Sequence, residues 1–264
     1  MKTRRAITLV ELLTCIAIIV ALLAILLPTI TRAKSQARRV KCMSNLRQLG
    51  AAFHMYAGDH LGRAMPLAYT DNDVLAGGDP VYWWGASSGD GVDHTRGFTW
   101  PYLNSDLRAA GIYECPEQPV GSYLPQGASR SVTSTYGYNG YYLSPPHTPG
   151  WSISIGRRPW QMVDTLARPQ LVFAFADTAL DVGLEVPQNC ALLDPPFLFS
   201  NRRWHRNDSP TTSFRHAGRT VVVCADGHAV ACGLEGGRMA SPSLQIGSVG
   251  LQNGPHYVPD WRDW

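Results

Sequence analysis

The chain has 264 residues, enough for one globular domain of ordinary size plus an extension. Hydrophobic residues make up 45% of it, which excludes a chain that stays disordered throughout. A net charge of +3 is too small to point to nucleic acid as a partner.

The first six residues, Met-Lys-Thr-Arg-Arg-Ala, form a short basic stretch. Residues 12–31 carry no charged side chain. As a helix that run is about 30 Å long, sufficient to cross a bilayer, and it exceeds the apolar core of an ordinary cleaved secretory signal. Glu11 stands at the edge of the run, where a carboxylate is costly and normally has a partner and a role. Pro28 lies inside it, where proline removes one backbone hydrogen bond and bends a helix.

Beyond the span, apolar residues recur at Ile30, Ala33, Ala37, Val40, Met43, Leu46, Leu49, Phe53 and Tyr56. Steps of three and four mark one stripe of a helix, which should end near Gly58. Its other faces carry Arg32, Lys34, Arg38, Arg39, Lys41 and Arg47, suited to lipid headgroups or acidic neighbours and equally to a plain solvated face.

Residues 59–160 read as loops and short strands rich in Gly, Pro and aromatics. Acidic residues in this region, Asp71, Asp73, Asp79, Asp90 and Asp93, are candidate calcium ligands at short spacing, although no EF-hand pattern is present. The aromatic runs around Tyr82-Trp83-Trp84, Trp100, Tyr102 and 136–142 fit loops glued to a small core better than a ligand surface. Later strands are predicted at 171–176, 220–225 and 228–232. The last two flank Asp226-Gly227, a two-residue hairpin signal. In that register Cys224 faces Ala229, so Cys232 points to the opposite sheet face and the two cysteines do not bond. His216 and Asp226 fall at opposite ends of one strand, about 20 Å apart, which argues against a joint metal site with His228. No nucleophile elbow, phosphate loop or H-E-x-x-H motif occurs, so the chain is not expected to be an enzyme.

The context Arg-Arg-Ala-Ile-Thr-Leu-Val-Glu-Leu-Leu resembles the N-terminal signature of type IV prepilins and type II secretion pseudopilins. The stretch Cys-Met-Ser-Asn-Leu-Arg-Gln-Leu-Gly-Ala-Ala at 42–52 and the H-x9-D-G pattern of His216, Asp226 and Gly227 resemble a large class of bacterial prepilin-like proteins. The resemblance covers roughly the first 60 residues and short patches near Cys115-Pro116 and 214–230. It departs from the common pattern at two positions, Ala6 where Gly is usual and Ile7 where Phe or Met is usual.

The resemblance implies a leader at 1–6 removed by a prepilin peptidase between Ala6 and Ile7, with N-methylation of Ile7. It implies that Glu11 pairs with the terminal amine of a neighbouring subunit, that Pro28 kinks the helix, and that Cys42 and Cys115 form a disulfide. The fold expected is α+β: a long N-terminal helix, transmembrane over 7–31 and amphipathic over 32–58, packed on a small antiparallel β-sheet head with long loops at 59–264. The function expected is that of a filament subunit of a type IV pilus-like or type II secretion assembly. Its partners would be other prepilin-like subunits, the peptidase, an inner-membrane assembly platform and the lipid bilayer. The chain would cross the bacterial inner membrane once, N-terminus cytoplasmic and head periplasmic or extracellular, with no cofactor other than the calcium already weighed. The alternative is a membrane-anchored module whose head binds a glycan or secreted partner without polymerising.

Overall fold

The structure, a computed structural model, describes residues 9–69, 78–88, 91–103, 111–119, 121–125, 133–144, 160–200 and 202–264. Ala6, Ile7, Asp71, Asp73 and Asp90 therefore lie outside the described residues. The architecture is α+β, one long helix followed by small antiparallel sheets. The chain divides between Arg38 and Arg39 into two units.

Helix α1 runs Leu9–Asp59 and includes Pro28. Within residues 9–38 its apolar side chains face outward, from Leu9 at 74% exposure to Ile30 at 47%. Hydroxyls in this stretch are satisfied on the helix itself: Thr14 donates to the Glu11 carbonyl, Thr29 to Leu26 and Thr31 to Leu27. Such back-bonding lets a polar side chain sit in an apolar setting without an orphaned donor.

From Cys42 onward α1 is part of the head core. Its buried face is Cys42, Asn45, Leu46, Leu49, Gly50, Ala52, Phe53, Tyr56 and Ala57. The expected stripe is thus right in period and correct from Leu46 onward, but wrong before it. Ala33, Ala37 and Val40 are exposed, Val40 at 66%, and Met43 is half-buried. Cys42 and Asn45 occupy the face instead. The helix ends at Asp59, near Gly58 as expected. It is closed by Leu61 and Gly62 at positive φ, with the Gly62 N–H donating to the Ala57 carbonyl at 2.7 Å, a left-handed C-terminal cap.

The head is centred on a four-stranded antiparallel sheet ordered β11-β10-β6-β5, with β5 Tyr136–Tyr138, β6 Phe173–Asp177, β10 Thr220–Cys224 and β11 Ala229–Cys232. Strands at 171–176, 220–225 and 228–232 were predicted, and the boundaries differ by one or two residues. One face of the sheet meets α1. Phe53 packs edge-on to Phe175 at 6.5 Å and against Tyr138 at 6.1 Å. The helix approaches so closely at Gly50 that an added Cβ would lie 2.8 Å from Val223 Cγ2. The other face is covered by the C-terminal segment, where His256 stacks on Phe173 at 4.5 Å and Tyr257 meets it edge-on.

The hairpin between β10 and β11 differs from expectation by one residue. The Cys224 N–H donates to the His228 carbonyl, and the loop is Ala225, Asp226 and Gly227, with Gly227 at φ +90. This is the three-residue hairpin whose last position needs a left-handed residue. Thr220 pairs with Cys232, so Cys224 and Cys232 share a sheet face. They remain unbonded because four rungs, roughly 13 Å, separate them along the ladder, beyond disulfide reach. Smaller sheets complete the head: β1-β2-β3-β4 (Ala68–Tyr69, Val81–Tyr82, Gly85–Ser88, Gly91–Asp93), β12-β13-β9 (Met239–Ser241, Ile246–Gly247, Thr212–Ser213) and the ribbon β7-β8 (Phe197–Ser200, Arg203–Arg206).

Candidate functional site

Two features carry functional content, the apolar first part of α1 and a buried polar cluster in the head. In the first, α1 is long and apolar enough to cross a membrane. Glu11 is exposed on this segment and is the one acidic residue in residues 9–38.

The second is built from four separate segments. Cys42 comes from α1, Cys115 from the turn at 111–119, Asp177 from the end of β6, and His216 from the turn that precedes β10. The four are buried, with exposures of 0% for Cys42, Cys115 and Asp177 and 1% for His216. One potential ligand atom from each lies within 4.8 Å of all the others. His216 Nε2 is 3.2 Å from Asp177 Oδ2 and 3.2 Å from Cys115 Sγ. Cys42 Sγ is 3.4 Å from Asp177 Oδ1 and 3.6 Å from Oδ2.

Local structure explains each placement. Asn45, one turn after Cys42, donates to the carbonyls of Gly111 and Glu114 and so docks the Cys115 turn on the helix. The Cys115 N–H donates to Thr135 Oγ1 at 2.6 Å, and Cys115 closes a turn by accepting from the Gln118 N–H. The Val221 N–H fixes Asp177 Oδ2 at 2.9 Å. His216 is held by its N–H to the Arg219 carbonyl in a turn that uses Ala217 and Gly218 at positive φ.

Burial pushes the Cys42 thiol well up, and Cys115 and Asp177 add to it. At Cys115 burial acts upward too, but hydrogen bonds from Cys42 and His216 outweigh it and bring the thiol down to about 7. Burial opposes charge on His216, yet hydrogen bonds with Asp177 and Cys115 raise it to about 10. Burial likewise acts upward on Asp177, and His216, Arg215 and the Val221 N–H together hold it below the usual carboxylate range.

The expected Cys42–Cys115 disulfide is not formed. All six cysteines are free thiols, and Cys42 and Cys115 meet as neighbours in the cluster. Cys15 is exposed on α1, and Cys190 donates to the Leu192 carbonyl. His216, Asp226 and His228 do not converge. Asp226 Oδ1 instead accepts from the His228 N–H at 3.1 Å and lies 2.6 Å from His228 Nδ1, inside the hairpin. The H-x9-D-G pattern thus brackets β10, its histidine entering the buried cluster and its Asp-Gly making the turn. Asp177 was missed by sequence reasoning, because a single aspartate ending an apolar strand has no spacing signal. Of the acidic calcium candidates, Asp79 pairs with Arg96 at 3.4 Å. Asp93 caps the short helix His94–Arg96 by accepting from the Thr95 N–H and hydroxyl. The aromatics are largely core: Trp83, Trp84, Tyr136, Tyr138, Tyr141 and Tyr142 are buried, while Tyr82, Trp100 and Tyr102 are half-buried.

Residues 31–88 match a family described as "Protein of unknown function (DUF1559)". That match covers the second part of α1 and the head through β3. No curated protein and no solved structure matches the chain.

Proposed function

We propose that this chain is a membrane-anchored, prepilin-like subunit, made as a precursor, cut between Ala6 and Ile7, methylated at Ile7 and assembled into a filament of the type IV pilus or type II secretion kind. The observation that carries the reading is the first part of α1, an outward-facing apolar rod with Glu11 as its one acidic residue. The match at 31–88 adds support, since that family is typical of prepilin-like proteins. Helix packing supplies the cohesion of such a filament. Glu11 sets the axial register, because a carboxylate in an apolar rod is tolerated only beside a cation, here the amine of a neighbouring chain. The glycan-binding alternative is weakened by the burial of most of the aromatics it would use.

The test has two parts. Mass spectrometry of the chain from its native host should find residues 1–6 removed and one methyl group added. Glu11→Ala should still insert in the membrane yet be lost from sheared filaments. A wild-type chain that keeps its leader, or a Glu11→Ala chain that assembles normally, overturns the proposal.

A further inference from the structure

We infer that Cys42, Cys115, Asp177 and His216 form a structural zinc site that ties α1 to the head. The donor set is the first argument. Two sulfurs, an imidazole nitrogen and a carboxylate oxygen suit zinc, and four protein ligands make a closed, structural site. The second is spacing. Around one tetrahedral zinc, donor atoms lie about 3.3 Å apart for nitrogen and oxygen and about 3.8 Å apart for two sulfurs. The observed nitrogen–oxygen contact of 3.2 Å matches the first value, and the sulfur–oxygen contact of 3.4 Å matches the intermediate spacing of a mixed pair, about 3.5 Å, while the nitrogen–sulfur contact of 3.2 Å is shorter than that spacing. A charge-assisted imidazolium–carboxylate bond is shorter, about 2.7–2.9 Å. A purely hydrogen-bonded cluster also asks the single Nε2 proton of His216 to serve Asp177 and Cys115 at the same distance.

Charge agrees with the assignment, as does the outer support of two of the four ligands. A divalent ion with two thiolates and one carboxylate carries one net negative charge. Arg215, adjacent to His216 and within coulombic reach of Asp177 and Cys115, offsets it. The Val221 N–H on Asp177 and Thr135 on the Cys115 backbone orient the ligands from outside, as outer partners do in metal sites. Complete burial leaves no path for substrate, so the metal holds structure and does no catalysis. The inference does not depend on whether the chain assembles into filaments.

The experiment uses the full chain, extracted in mild detergent from cells grown with zinc and purified without chelator. Elemental analysis should find about one zinc per chain. Cys42 and Cys115 should resist alkylation until a strong chelator is added, and melting should shift to lower temperature on chelation. Cobalt exchanged into the chelated wild-type chain should give the visible absorption of a tetrahedral thiolate centre, a readout that needs no variant. Cys115→Ser and His216→Ala, each checked by circular dichroism, should lose the metal. A metal-free folded chain with open thiols overturns the inference, as does one with a Cys42–Cys115 disulfide. Zinc fully retained by both folded variants overturns it as well.

Discussion

Cys42 and Cys115 show how far single residues could be read from the sequence. Their mutual proximity was expected, because both belong to patches that resemble prepilin-like proteins. Their chemistry was not, because the other two members of the cluster reach them through tertiary contact alone. His216 carried a motif but no visible destination, and Asp177 carried no motif. Asp194, half-buried, is another acid without a signature. Its Oδ1 is shut off from solvent and accepts no hydrogen bond among the described residues. Burial alone pushes its carboxyl up to about 7. A group raised on folding contributes stability that is complete below its unfolded value and is lost as pH rises through the folded one. Asp194 should therefore cost the folded chain on the order of 2–4 kcal/mol above about pH 7. Asp194→Asn should remove that loss. Thermal melts should show the variant gaining on the wild type between pH 5 and pH 8, and an equal difference at both pH values would refute the assignment.

At the scale of elements, α1 was legible in existence and length because its apolar run and later three-and-four spacing are strong signals. The buried face was misplaced in its first turns because a cysteine and an asparagine do not score as core residues, although both are completely buried. The hairpin was legible from Asp226-Gly227, but the loop takes three residues where two were expected, so register slipped by one. Strand β5 was hidden inside an aromatic run read as loop glue, and it joins the sheet as an edge beside β6. Gly50 is where helix and sheet come closest. Gly50→Val should drive its side chain into Val223 and cost about 1–3 kcal/mol by overpacking, seen as a lower denaturation midpoint. The double variant Gly50→Val with Val223→Ala should recover part of that loss, since the two side chains contend for one space.

For the whole molecule, the α+β class and the single apolar span were readable, whereas the smaller sheets were not. Two- and three-residue strands such as β9, β12 and β13 are set by who pairs with them, not by their own composition. The division between Arg38 and Arg39 makes a direct prediction. A chain restricted to residues 39–264 should fold with a cooperative melt and remain in the aqueous phase on detergent partitioning. The full chain should move to the detergent phase. A truncated head that aggregates or melts without cooperativity would show that residues 9–38 are needed for folding.

Cys42 leaves the ribosome 135 residues ahead of Asp177, the carboxylate it finally meets. Throughout that interval the inward face of α1 lacks the complete β6 and all of β10, which hold Phe175 and Val223 against it, and contacts so distant in sequence close slowly. That uncovered apolar face should leave the nascent chain prone to aggregation until those strands arrive. Conditions that slow synthesis of the last third should lengthen this vulnerable period and raise the fraction lost to proteolysis.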